Sequence, residues 1–180
     1  LGWLSNPETV ANYYLLWRIP EGIIILLLRI PDSYGPFLIA MDARGEHQLL
    51  QKNYKKGLYI MLGLAGLSAL LYATVGQYFV HWWLGDKAPT EGFSYAIAAI
   101  AMFFIAVSRW PSKVAYVLIN TRPLIKIAAL ELVMKLSLIF VLLPKFNFTA
   151  PMVATTLVHG LCVFYLYLWL GKKTIDSTVK

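Results

Sequence analysis

The chain has 180 residues, of which 59% are hydrophobic and 14% charged, with a formal net charge of +7 and a single cysteine, Cys162. A soluble domain of this size carries about a quarter charged residues, so the composition argues against an ordinary water-soluble domain, and one cysteine rules out an internal disulfide framework. The basic excess does not describe a nucleic-acid surface either, because the lysines and arginines lie between and inside apolar blocks rather than in one patch.

Those blocks are long enough to cross a bilayer, for which about 20 apolar residues cover about 30 Å of hydrocarbon. Ser5-Asn-Pro-Glu8 is a helix-start signal, with Ser5 as cap and Pro7 tolerated in the first turn. A first helix is expected over about 7–42, kinked at Pro20, Pro31 and Pro36. Residues 42–56 are polar (Arg44, Glu46, His47, Lys52, Lys55, Lys56) and predict a short helix on the membrane surface, held by anionic headgroups. A second span follows over 57–83, where Gly63 and Gly66 suit close helix packing. Trp82, Trp83 and Phe93 flank a turn over 85–92 in the interfacial aromatic position. The third helix covers 93–120 and breaks at Arg122-Pro123; the fourth covers 124–143 and closes on Pro144; the fifth covers 151–170 and ends at Gly171.

The blocks are continuous rather than alternating, which favours helices over a membrane barrel. The expectation is therefore an all-α, polytopic transmembrane bundle of about five spanning helices, forming a single domain over 1–180. Leu1-Gly-Trp-Leu4 resembles the last turn of an earlier helix, so a fragment of a longer protein is expected. Outside the helices, one side collects Arg44, Lys52, Lys55, Lys56, Arg122, Lys126, Lys172, Lys173 and Lys180, and the other only Lys87 and Lys145. Basic loops stay cytoplasmic, which places the amino end outside and the carboxyl end inside.

Eight charges remain inside the spans: Arg18, Glu21, Arg29, Asp32, Arg109, Lys113, Glu131 and Lys135. Each costs roughly 2.5–3.5 kcal/mol at a bilayer centre, so they must face protein, face water, or sit shallow enough to snorkel. At 100° per residue, Tyr14, Arg18, Glu21, Arg29 and Asp32 fall in a sector about 80° wide on the first helix. Arg109, Lys113, Tyr116 and Asn120 share one face of the third helix, Glu131 and Lys135 stand one turn apart on the fourth, and Thr155, His159 and Cys162 form a weaker stripe on the fifth. Converging stripes predict a polar interior with two positive charges in excess. Such a cavity suits an anionic substrate, and arginine forks suit phosphate oxygens.

The plainer readings are that Arg18/Glu21, Arg29/Asp32 and Glu131/Lys135 are neutralising pairs that fix packing, that Lys113 snorkels, and that His159 is a packed polar residue. Cys162 reads as filler.

The order of features resembles the carboxy-terminal half of polysaccharide (O-antigen or teichoic-acid type) flippases of the multidrug/oligosaccharidyl-lipid/polysaccharide transporter superfamily. The likeness rests on Val10-Ala-Asn-Tyr-Tyr-Leu-Leu-Trp-Arg18, Pro36-Phe-Leu-Ile-Ala40, Asp42-Ala-Arg-Gly-Glu46, Trp83-Leu-Gly85, Leu136-Ser-Leu-Ile-Phe-Val-Leu-Leu-Pro144 and Val153-Ala-Thr155. It departs at 147–151, where Asn-Phe-Thr-Ala-Pro stands in place of a Gly-rich entry, and in the charge and proline content of the first helix. The resemblance implies a bacterial inner-membrane protein, not an enzyme and without a cofactor, that moves a lipid-linked oligosaccharide by alternating access. Its partners would be the bilayer, that substrate and the remaining helices of the transporter. Arg18, Arg29 and Arg109 would contact the phosphate head with Lys113 and Lys135 in support, while Glu21, Asp32, Glu131 and His159 would pair charges or couple an ion. Rival readings are a multidrug exporter, which calls for an acidic cavity, and a membrane glycosyl- or acyltransferase, for which Glu46-His47 is the one candidate pair.

Overall fold

A computed structural model describes residues 7–89, 92–118 and 121–178. Ser5 of the expected cap and Asn120 of the expected polar stripe lie outside the described residues, as do residues 1–4 and Lys180. Among the described residues the chain is all-helical: α1 is Pro7–Ala43, α2 His47–Leu84, α3 Gly92–Val117, α4 Thr121–Phe146, α5 Ala150–Val158 and α6 Phe164–Thr178. A π turn, His159–Val163, joins the last two.

Four stretches are long and apolar enough to cross a membrane: α1, α2, α3 and the run Thr121–Ser177, which holds α4 to α6. The last run doubles back on itself. A 3-10 turn, Asn147–Thr149, interrupts it with Asn147 at φ 45°, a left-handed conformation that asparagine tolerates better than most residues. Glu131 before that turn then bonds to His159 and Tyr167 after it.

Several boundaries differ from the sequence-based expectation. The polar stretch after α1 is not a separate surface helix. Gly45, at φ 69°, turns the chain, and His47 begins α2, which runs without a break into its apolar part. Pro20, Pro31 and Pro36 sit inside α1 without ending it, and Pro144 lies inside α4. Gly171 does not stop the last helix either, because it is needed for packing rather than for a turn. A Cβ there would come within 2.7 Å of the Tyr54 hydroxyl and 2.8 Å of Pro111 Cβ.

α3 is the centre of the bundle. α1 and α2 pack on one side of it, α5 and α6 on the other, and α4 lies outside against α5. Two clusters fill the α1/α2/α3 contacts, one around Leu16, Tyr72, Tyr95 and Met102, the other around Leu38, Met61, Trp110 and Val114. Close approach is set by Gly57 rather than by Gly63 or Gly66. The Trp110 indole lies on Gly57, so that a Cβ would overlap the ring, whereas one on Gly63 would meet nothing within 4 Å. Trp110 is buried and donates its Nε1–H to Tyr54 O at 2.9 Å, so the one polar atom of the indole is satisfied in the core, as buried tryptophan requires. A second bond of this kind, from the Tyr72 hydroxyl to Leu16 O at 2.5 Å, ties α2 to α1.

Candidate polar site across the bundle

The core face of α1 carries Leu16, Pro20, Ile24, Leu27, Pro31, Gly35 and Leu38, which recur every three or four residues as one stripe. The polar residues occupy the opposite side: Tyr14, Arg18, Glu21, Arg29 and Asp32 are all exposed. The expected stripe exists, but it does not line a closed interior within this chain, because packing on α3 uses the apolar face and turns the charges outward.

Between α1 and α3 the charges meet at one point. Lys113 Nζ donates to Asp32 Oδ1 at 2.7 Å, and its stem runs beside Gly35, where a Cβ would stand 3.7 Å from Lys113 Cε. Asp32 is thus taken by a lysine of another helix, not by Arg29 of its own, and Lys113 is anchored rather than snorkelling freely. Arg18 bonds Glu21 at 3.3 Å, one turn along α1. This pair is exposed, and exposed pairs contribute at most about 1 kcal/mol.

On the far side of α3 a second group forms. Glu131 of α4 accepts from Lys135 Nζ at 2.6 Å and His159 Nε2 at 3.1 Å through one oxygen, and from the Tyr167 hydroxyl at 3.2 Å through the other. His159 is buried, and its Nδ1 lies 3.4 Å from Ser108 Oγ of α3. The Ser108 hydroxyl donates to Phe104 O at 2.7 Å, so both ring nitrogens face acceptor oxygens. A carboxylate with three donors is a well-compensated group, whereas losing any partner inside a bundle leaves an unpaired charge or polar atom.

Tyr167 and Ser108 were absent from the sequence-derived set, and the reason is geometric. On a regular helix the face of His159 returns at i+7. The π turn His159–Val163 inserts one extra residue into that stretch, so the face returns at i+8, which is Tyr167. This shift also takes Cys162 out of register with the expected stripe of Thr155 and His159, which stay one regular turn apart. Among the described residues, Cys162 makes no hydrogen bond and Thr156 Oγ1 is buried without a partner.

Pairing now identifies the two uncompensated charges. Glu21 takes Arg18, Asp32 takes Lys113 and Glu131 takes Lys135; Arg29 and Arg109 have no ion pair among the described residues. Both are exposed, and Arg109 is within electrostatic reach of Tyr167. α1 and α3 run in the same direction, since residues 16–24 pack with 95–102 and residues 27–38 with 106–114. From the Asp32–Lys113 contact, Arg29 and Arg109 both step back about one turn, which puts them within about one helical turn of each other along the axes.

The two ends of α3 differ on this face. Tyr95, Ala98 and Met102 are buried, while Arg109 and Tyr116, further along the same stripe, are exposed. α1 and the α4–α5 turn meet near the buried end, where Thr9 Oγ1 donates to Asn147 Oδ1 at 2.9 Å. The polar face is therefore closed at the Thr9 end and open beside Arg109 and Tyr116. A charge swap checks the inter-helix contact: Asp32→Lys or Lys113→Asp alone should each lower the melting temperature in detergent by a few degrees. The double exchange should recover most of that loss. No recovery would mean that the contact does not couple α1 to α3.

Glu46 of the enzyme candidate lies 3.7 Å from Arg44, and His47 Nδ1 is buried without a hydrogen-bond partner among the described residues. No protein-family model, curated protein or solved structure matches the chain, so the polar residues themselves carry any reading of function.

Proposed function

We propose that the chain forms part of the translocation path of a transporter that moves an anionic, lipid-linked substrate across a membrane by alternating access. The substrate class that suits it is a saccharide on a pyrophosphate lipid, and the family it resembles is that of polysaccharide flippases. The observation that supports this is the pair of guanidinium groups, Arg29 and Arg109, left without acids on adjacent helices within about one helical turn of each other. Two unneutralised arginines are costly in a spanning segment and match the oxygens of a diphosphate. The helix faces bearing them are open, and in this reading the remaining helices of a longer transporter cover them.

We assign five crossings, with the start of α1 outside and the end of α6 in the cytoplasm of a bacterial inner membrane. The lysines and arginines of 44–56, 122–126 and 172–173 stand against Lys87 and Lys145. Arg18 is reassigned from headgroup contact to pairing with Glu21, and Lys113 and Lys135 to positioning through their acids. A multidrug exporter for cations is less well supported, because Glu21, Asp32 and Glu131 each already hold a cation. The enzyme reading lacks a carboxylate turned to His47, since Glu46 meets Arg44.

Arg29→Ala and Arg109→Ala should each reduce translocation of lipid-linked oligosaccharide in proteoliposomes by about tenfold or more, the worth of a charge-assisted hydrogen bond of about 1.5–3 kcal/mol. Arg18→Ala should leave it within about twofold, and all three variants should insert normally. Full activity in both Arg29→Ala and Arg109→Ala would return the charges to a purely structural role.

A further inference from the structure

Where the start of α2 meets the end of α6, the two helices enclose a half-open cavity of about 370 Å3, lined by Gln51, Lys55 and Leu58 on one side and by Leu168, Lys172 and Asp176 on the other. Its rim is charged and its wall aliphatic, with Ile175 adding to the apolar part. Lys55, Lys172 and Asp176 are in no ion pair among the described residues, although the last two stand one turn apart on α6. The floor is Tyr54, only 7% exposed. Its hydroxyl has no hydrogen-bond partner among the described residues and lies beside Gly171, the glycine whose Cβ would come within 2.7 Å of it. Tyr54 lines the cavity, so its hydroxyl is a donor open to a bound group.

The neighbouring side chains mark the depth. Lys173 Nζ sits 4.7 Å from the centre of the Trp169 ring, an arrangement of aromatic and cation typical of the headgroup level. A ligand there must be an amphiphile, with an anionic head for the lysines and a chain for Leu58, Leu168 and Ile175. Two lysines and one aspartate leave a single positive charge, which one phosphodiester neutralises. Asp176 needs a donor, which a hydroxyl-bearing head provides and a quaternary ammonium does not. Basic pockets between membrane helices bind lipid heads on this principle. We propose that this cavity is a binding site for one anionic phospholipid with a hydroxylated head, of the phosphatidylglycerol type. The Lys55 and Lys172 ammonium groups and the Tyr54 hydroxyl hold its phosphate, and Asp176 accepts from its glycerol head. This site does not depend on the transport reading, and neither Arg29 nor Arg109 lines it.

The test is retention of phosphatidylglycerol by the full chain, read by native mass spectrometry after release from phosphatidylcholine nanodiscs containing graded phosphatidylglycerol. One bound phosphatidylglycerol is expected. Lys55→Gln/Lys172→Gln should weaken it by on the order of tenfold or more. Lys56→Gln/Lys173→Gln removes the same charge from the same end of the bundle and should change it less than about twofold. Leu168→Trp, which fills the aliphatic wall and leaves both lysines, should displace the lipid, and inorganic phosphate should not compete. Equal loss in the two lysine pairs would reduce the effect to general surface attraction. Equal retention of phosphatidylcholine, or displacement by inorganic phosphate, would also overturn the proposal.

Discussion

Replacing Gly57 with valine should cost the folded bundle about 2–4 kcal/mol and remove it from the monodisperse fraction in detergent. A Cβ at this position overlaps the Trp110 indole, and the ring has no free space to retreat into, being 1% exposed between α1, α2 and α3. Overpacking a closed core costs about 1–3 kcal/mol, and tilting the indole away also breaks the Trp110–Tyr54 hydrogen bond, worth about 0.5–1.5 kcal/mol. The same substitution at Gly63, where a Cβ meets nothing within 4 Å, should change the melting temperature little. A Gly57→Ala/Trp110→Leu double variant should be more stable than the sum of its single variants implies, because the smaller side chain vacates the volume that the methyl needs. Strict additivity would show that Gly57 does not control the α2–α3 approach.

The second large effect is expected at Glu131. Glu131→Gln keeps the shape but leaves Lys135 without its counter-charge, beside a buried His159. Removing one member of an ion pair held inside a protein costs about 3–5 kcal/mol. Both side chains of this pair are about one-fifth exposed, so the lower end of that range is the appropriate figure. Thermal unfolding in nanodiscs should show the loss, and Glu131→Leu/Lys135→Met should recover only part of it, because it removes the uncompensated lysine but leaves buried His159 and Tyr167 without their acceptor. If the single variant is as stable as the parent, the Glu131 network does not hold α4 to the bundle. The double variant also separates structure from transport. Stability regained without translocation would assign the network a part in the transport cycle.

The sequence by itself determined the helical class and two of the three expected local pairs. Apolar blocks of more than about 20 residues impose helix in a bilayer, where every backbone group must be satisfied within the segment. Arg18–Glu21 and Glu131–Lys135, three and four residues apart, were legible because the helix period alone brings such residues together. The excess of two positive charges was legible as a sum.

Which two arginines carry that excess was decided only by tertiary structure. Whether Asp32 turns to Arg29 or to Lys113 depends on how α1 and α3 are rotated and slid against each other. That register is set at a distance, by Trp110 on Gly57 and by Gly171 against Pro111. The place of Tyr167 beside Glu131 depends on one inserted residue in a π turn, which no regular period foretells. Residues within a turn of each other meet by covalent geometry, whereas residues on different helices meet only where side-chain volumes across the whole interface allow their backbones to come close.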